Sequence, residues 1–409
     1  MLPRHVQVNH LSHASLRAID ELVTGHIPDI FPAAAFVILQ NGSCLLDAAY
    51  GWIDPDYRLY EVTQDTIFDL ASVSKLFTAT AFLSFVSEGK VTLDDPLVSV
   101  IPEFGAVSPR SVDGGQDPHT KQPLPLEEDM RNVLVDAAQV TFRHLLLHTS
   151  GLAAWRAVYA AAGPPPVPPD QPEIVSREQR WLKALHALCN YPFVGIPGDK
   201  VCYSDIGLML LGEATARLNG SPGDLQTAVR QRVLQPLALE RVVYNPMRQG
   251  FSHDVIVPTE NDPTWRKRRA WGEVHDENAC GVGGIAGHAG LFAHANAVAT
   301  FGQAWLDGAG MFGIDTRLAQ ESTREQVNYD GVRRGFGWAL KAHTDSAAGA
   351  WMSADTFGHT GFTGTSLFID PQRALVIACL TNRVYPGRHQ PGIHEFRRAF
   401  HDSIVEAVD

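Results

Sequence analysis

What this chain lacks narrows the field first. No Gly-x-Ser-x-Gly occurs, which removes the nucleophile elbow of an α/β-hydrolase. The five cysteines, Cys44, Cys189, Cys202, Cys280 and Cys379, are odd in number and scattered, with no Cys-x-x-Cys pair. They read as reduced thiols and not as a disulfide framework. No stretch reaches the ~18 uninterrupted apolar residues of a membrane span. Basic excess is missing too: 33 Lys and Arg against 45 Asp and Glu give a formal net charge of -12. A sequence-independent grip on nucleic acid, which needs clustered cations, is not expected. The opening residues Met1–His5 run into polar Gln7 and Asn9 without the apolar core of an export signal, so a cytoplasmic location is the expectation.

Apolar material, by contrast, is plentiful, at 45% of 409 residues, and suits two lobes. Strand patterns concentrate at the two ends. Ala34–Gln40 and Ser43–Tyr50 flank Asn41-Gly42, the signature of a type I′ hairpin. Thr365–Ile369 and Ala374–Leu380 form a second hairpin around Asp370–Arg373, and His394–Val408 has the apolar spacing of a helix laid on a sheet. The middle reads as helices at Phe142–His148, Arg177–Cys189, Asp205–Leu218 and Pro222–Val233, the second opened by a capping box at Ser176 and Gln179. The expected class is α+β: an antiparallel sheet flanked by helices, built from residues 1–88 and 285–409, with an α-rich lobe inserted at 89–284. The join between the lobes is the natural cleft. Two irregular loops, Gly105–Pro125 and the proline-rich Gly163–Pro172, either decorate the surface or overhang that cleft.

Three short segments carry chemistry. Ser72 and Lys75 open the apolar run Leu76–Phe85, and a spacing of three on a helix puts both side chains on one face. A serine needs a base, and a lysine serves once burial lowers its pKa. The helix N-terminus adds backbone N–H groups for an oxyanion. Tyr203-Ser204-Asp205 opens the helix 205–218, where a phenol at a loop-to-helix junction relays protons; the alternative is a packed tyrosine followed by an aspartate cap. His359-Thr360-Gly361, within Gly358–Ser366, precedes the C-terminal hairpin and suits an edge strand facing the cleft, where glycine admits a substrate backbone.

In this order the three segments resemble the Ser-x-x-Lys, Tyr-x-Asn and Lys-Thr-Gly signatures of the serine β-lactamase and penicillin-binding protein superfamily. The blocks Gly89–Pro96, His148–Leu152, Leu234–Leu237 and Gly283–Phe292 resemble its class C, esterase and low-molecular-weight penicillin-binding branch, and the similarity runs from Pro32 to Asn382. The resemblance implies the β-lactamase/transpeptidase fold and a serine hydrolase without metal or organic cofactor. In it Ser72 is acylated, Lys75 and Tyr203 shuttle its proton, and the oxyanion sits between the N–H groups of Ser72 and Phe362. Asp205, His359, Thr360, Gly361 and Phe362 would meet the substrate.

Two residues depart from the pattern. Asp205 stands where asparagine is usual and, ionised, only accepts hydrogen bonds. His359 replaces lysine, so the fixed cation for a substrate carboxylate is weakened, and a charge that follows pH near neutrality takes its place. Both favour an esterase acting on a small ester or amide over a D-Ala-type peptidase or weak β-lactamase on a short peptide or β-lactam. A catalytically inert penicillin-binding-like module is the alternative of another class. His144 and His148, four apart among 17 histidines, lack the glutamate of a His-Glu-x-x-His zinc motif and suit a core helix; His288 reads as a structural histidine near the cleft.

Overall fold

The computed structural model describes residues 2–9 and 11–409. Its centre is a nine-stranded antiparallel sheet assembled from both ends of the chain: β1 (Arg4–Val8), β2 (Ala33–Gln40), β3 (Ser43–Gly51), β4 (Val327–Tyr329), β5 (Val332–Arg334), β6 (Ala339–Leu340), β7 (Phe357–Thr360), β8 (Ser366–Asp370) and β9 (Leu375–Thr381). Their order across the sheet is β1-β3-β2-β9-β8-β7-β6-β5-β4. Asn41 and Gly42 both take positive φ, 50° and 73°, so the first hairpin closes as its dipeptide dictates. In the second, Pro371–Arg373 makes a short helical turn and Ala374 supplies the left-handed residue.

Alternation along β2 sends Ala33, Ala35 and Val37 to one face and Ala34, Phe36 and Ile38 to the other. The second face is covered by α1 (His13–Thr24) and the C-terminal helix α6 (Ile393–Val408), through Ile19, Val23, Phe396 and Phe400. The first face packs on α5 (Ala295–Leu306), whose Phe301 in turn stacks on Phe77 of α2 (Ser74–Ser87). The same apolar core continues without a break into α3 (Arg177–Asn190) and α4 (Asp205–Leu218). The α+β class with a large antiparallel sheet is therefore present. Every residue of α2 from Ser74 to Phe85 is buried, as a helix apolar on all sides must be.

Three local expectations are corrected. His359-Thr360-Gly361 does not lie on an edge strand, because β7 pairs with both β8 and β6. Since β6 is two residues long and pairs only with Gly358 and Phe357, His359 and Thr360 keep one side without a strand partner. The Pro222–Val233 helix shrinks to Leu225–Val229, capped by Asp224, and continues as a wider turn over Arg230–Leu234. Ser204, and not Asp205, caps α4: its hydroxyl accepts from the Gly207 N–H at 3.0 Å and donates to the Ala153 carbonyl at 2.7 Å. The five cysteines are all unpaired. Among the described residues no helix is long and apolar enough to cross a membrane.

Candidate active site

The segment ahead of Ser72 is pinned before its helix begins. Phe68 and Asp69 pair with Ala293 and Phe292, and the Leu70 N–H donates to the Leu291 carbonyl at 2.9 Å. The chain then turns through Ala71 at φ 45°, a left-handed conformation that costs a Cβ-bearing residue about 1–2 kcal/mol. The buried Asp69 carboxylate offsets that strain by accepting from the Ala71 N–H at 2.8 Å and the His275 N–H at 2.6 Å. Ser72 emerges half-buried at the start of a tight helical turn that runs into α2.

One turn later Lys75 is 1% exposed. Its Nζ donates to Ser72 Oγ at 2.7 Å and to the His288 carbonyl at 3.2 Å, and lies 2.7 Å from Asp205 Oδ1. Two of the ammonium's three N–H groups are thus placed on oxygen acceptors, and the Asp205 carboxylate balances its charge. Burial pushes the Lys75 pKa down, but Asp205 and Tyr203 outweigh it and hold the pKa above the ordinary lysine value. The expected loss of the lysine proton through burial is thus reversed by Asp205. Instead of turning only toward substrate, Asp205 is the counter-ion of Lys75 inside the site.

Tyr203 lies against this pair, with its ring centroid 4.8 Å from Lys75 Nζ. His148 packs on its ring at 4.5 Å, and the Arg334 guanidinium lies 5.2 Å from the centroid. His148 ends the helix Phe142–Leu147 in a left-handed turn, and its Nδ1 accepts from the Ser204 N–H at 2.9 Å. Burial, with Arg334 and Lys75 nearby, keeps it a neutral imidazole. His144 is spent on capping the same helix at Thr141. Among the described residues, the group whose ligand atoms come within 4.8 Å of one another as a metal site would need is Asp205, Asp276 and His288. There Asp205 is paired with Lys75, and Asp276 accepts from His288 Nε2 at 2.8 Å.

The turn 361–365 closes the other side. Thr363 Oγ1 donates to the Asp69 carbonyl at 2.7 Å and Thr365 Oγ1 to the Leu70 carbonyl at 2.9 Å, tying this turn to the nucleophile segment. Gly361 is required by close approach: a Cβ there would sit 2.1 Å from Thr365 Oγ1 and 2.6 Å from the Leu70 carbonyl oxygen. Neither the Ser72 nor the Phe362 N–H has a protein acceptor among the described residues, as a pair of donors awaiting an oxyanion would show.

Ser72, Tyr203 and Phe362 line two cavities that meet at the serine. The larger, of about 500 Å³, also carries His359, Thr360, Gly361, Arg334, Arg383 and Arg397. The smaller, of about 210 Å³, carries Asp205, Asp276, Glu277, His288, Trp155 and His119. The 105–125 loop overhangs the cleft through Pro118 and His119, the latter 6.0 Å from the Phe362 ring, whereas Pro164–Pro169 packs on Arg180 and Arg268 away from it. His359 lines the cavity but is 4% exposed, and burial beside Lys75 and Arg334 lowers its pKa to about 3. It does not change charge near neutrality. The cations at the cleft are ones the motifs did not flag: Arg334, Arg383 and Arg397 have no carboxylate partner among the described residues, and Arg334 Nε is buried without any partner.

Comparison with known proteins settles the relationship. A family model described as Beta-lactamase matches residues 19–400. The chain belongs to the Beta-lactamase family. Over 99% of its length it is 28% identical to the N-acetylmuramyl-L-alanine amidase of Bacillus subtilis (strain 168), covering 90% of that protein. Among solved structures it resembles EstCE1, a hydrolase with promiscuous acyltransferase activity, with a TM-score of 0.69 and 19% identity over 96% of this chain and 98% of that one. A penicillin-binding protein homologue from Caulobacter crescentus aligns with a TM-score of 0.68 and 18% identity over 98% and 100%. This Beta-lactamase family chain therefore has the fold shared by a penicillin-binding protein homologue and a hydrolase with acyltransferase activity.

Proposed function

We propose that this protein is a serine hydrolase that cleaves small ester or amide substrates through an acyl-enzyme on Ser72, and that its preferred substrates carry a carboxylate close to the scissile bond. The observation that carries the first part is the chain of contacts Ser72 Oγ, Lys75 Nζ and Asp205 Oδ1, each 2.7 Å from the next. The Lys75 ammonium passes to Asp205 the proton that faces it, and the neutral amine then turns about its Cε–Nζ bond, so that its two N–H groups point to Asp205 and His288 and its lone pair faces the Ser72 hydroxyl. Ser72 attacks the acyl carbonyl as its proton moves to Lys75, so that Asp205 ends protonated and the negative charge resides on the carbonyl oxygen. The Ser72 and Phe362 N–H groups receive that charge. Collapse expels the alcohol or amine, protonated from Lys75 or the adjacent Tyr203 phenol, and water later releases the acid by the reverse sequence.

The second part rests on Arg334. A guanidinium half-buried beside Tyr203 and His359, with no carboxylate partner, replaces the fixed charge that the His359 position does not supply. An arginine reads a carboxylate through two parallel N–H donors. This reading covers carboxylate-bearing esters and peptides ending in a D-amino acid alike. The neighbour described as a hydrolase with promiscuous acyltransferase activity is consistent with acyl transfer to and from Ser72, and the amidase relative supports hydrolysis of an amide. The test pairs a neutral ester with the same acyl ester bearing a carboxylate on the leaving group. Wild type should prefer the anionic substrate by about 10-fold or more, the scale of one charged hydrogen bond, and Arg334→Met should abolish the preference. Equal kcat/KM values for both substrates in wild type would overturn the carboxylate reading while leaving the acyl-enzyme intact.

A further inference from the structure

Arg397 is a buried cation that the proposed acylation does not use directly. It projects from the inner face of α6, is 7% exposed and has no carboxylate partner among the described residues. Burial lowers its pKa to about 10, which leaves it charged at neutral pH. Keeping an unpaired guanidinium inside a protein costs several kcal/mol unless its donors are well used. Its Nη2 donates to two backbone carbonyls of one turn, Gly361 at 2.9 Å and Thr365 at 2.8 Å.

The first of these carbonyls belongs to the same peptide unit as the Phe362 N–H. A trans peptide is planar, so its C=O and N–H point in opposite directions. Holding the Gly361 oxygen from the α6 side therefore fixes where the Phe362 hydrogen points. The Gly364 N–H, 3.1 Å from the same oxygen, and the Thr363 and Thr365 hydroxyls on the nucleophile side complete the clamp. A cation on the carbonyl also draws electron density from the amide and makes its N–H a stronger donor.

We propose that Arg397 is a positioning residue for the oxyanion: from behind the 361–365 turn, its guanidinium orients and polarises the peptide whose Phe362 N–H faces the acyl carbonyl on Ser72. This rests on the acyl-enzyme reading above. Its effect belongs to the transition state, because the N–H is needed most when the carbonyl oxygen carries charge. Losing an oxyanion donor outright costs about 10²–10³ in kcat, and loosening one costs less, about 10–100-fold.

The experiment compares wild type, Arg397→Lys and Arg397→Gln with an activated neutral ester and with phenylboronic acid, whose tetrahedral serine adduct places a negative oxygen where the oxyanion forms. We expect kcat to fall about 10–100-fold in Arg397→Gln and less in Arg397→Lys, which keeps the charge, with KM changed by less than about threefold. The boronate inhibition constant should weaken in the same order and proportion as kcat/KM. A merely structural arginine would lower the unfolding temperature without that parallel. If Arg397→Gln does not fold, Arg397→Lys carries the test, with a loss of about 3–10-fold in both quantities. Folded variants with wild-type kcat and boronate affinity would overturn the inference, as would losses confined to KM. Absence of any boronate or ester adduct on Ser72 in wild type would instead overturn the acyl-enzyme reading on which it stands.

Discussion

Replacing Asp205 with asparagine probes the proton path at its end. The substitution keeps shape and one acceptor but removes the charge 2.7 Å from a lysine that is 1% exposed. Breaking a buried ion pair by removing one partner costs about 3–5 kcal/mol if the survivor stays charged. At 1.36 kcal/mol per pKa unit, Lys75 escapes that cost by losing its proton, and its pKa drops by about 2–4. In wild type the raised Lys75 pKa makes the pair stabilising from neutral pH up to the unfolded value of ~10.5, and the contribution is lost only as pH rises through the still higher folded value. In Asp205→Asn the folded pKa lies below the unfolded one, so the penalty is complete in acid and fades as pH rises toward ~10.5. Thermal unfolding of both proteins between pH 6 and 9.5 should show a stability gap that shrinks by about half at the alkaline end. In parallel, the acid limb of the variant's kcat/KM profile should move to the pH at which Lys75 becomes neutral, with activity strongly reduced at pH 6 and partly recovered at pH 9. Parallel unfolding curves, or a pH–rate profile that superimposes on wild type after scaling, would refute the Lys75–Asp205 pairing as the source of the proton path.

Other outcomes follow from the same geometry. Ser72→Ala should leave unfolding unchanged and cut ester turnover by several orders of magnitude, measured with an activated ester. The preference for an anionic over a neutral ester should stay flat between pH 6 and 8, because His359, with a pKa of about 3, does not titrate there; a preference that rises toward pH 6 would assign the charge to His359 and not to Arg334. Gly361→Ala should lower both stability, by about 1–3 kcal/mol, and kcat, since its Cβ would press on Thr365 Oγ1 and the Leu70 carbonyl; calorimetry and steady-state kinetics check the two together.

Much of this architecture was readable along the chain because its causes are local. The Asn41-Gly42 turn needs two residues at positive φ, and helix 205–218 follows from its apolar spacing, so both could be placed to within a residue or two, although the cap proved to be Ser204. Ser72, Lys75 and Tyr203 stood out as motifs, and the fold brings them together. What sequence could not convey depends on contacts across long stretches of chain. Asp205 was visible as a departure from asparagine, but its distance from Lys75 is a product of packing 130 residues apart. That distance reverses the sign of the lysine shift. His359 looked like a pH-dependent cation because nothing in its neighbours along the chain reveals burial beside Lys75 and Arg334. The arginines at the cleft come from β5, the loop after β9, and α6, with no shared motif. The tie across to the nucleophile segment does leave a local trace: Thr363 and Thr365 alternate in the turn, as hydroxyls reaching across to Asp69 and Leu70 would.

The central claim is that Ser72 becomes acylated, and mass spectrometry of the intact protein after exposure to a fluorophosphonate probe tests it most directly. The account predicts one adduct per chain, mapped by peptide fragmentation to Ser72, slowed in Lys75→Met and absent in Ser72→Ala. An unmodified wild-type chain, or an adduct that persists at full rate in Ser72→Ala, would contradict it.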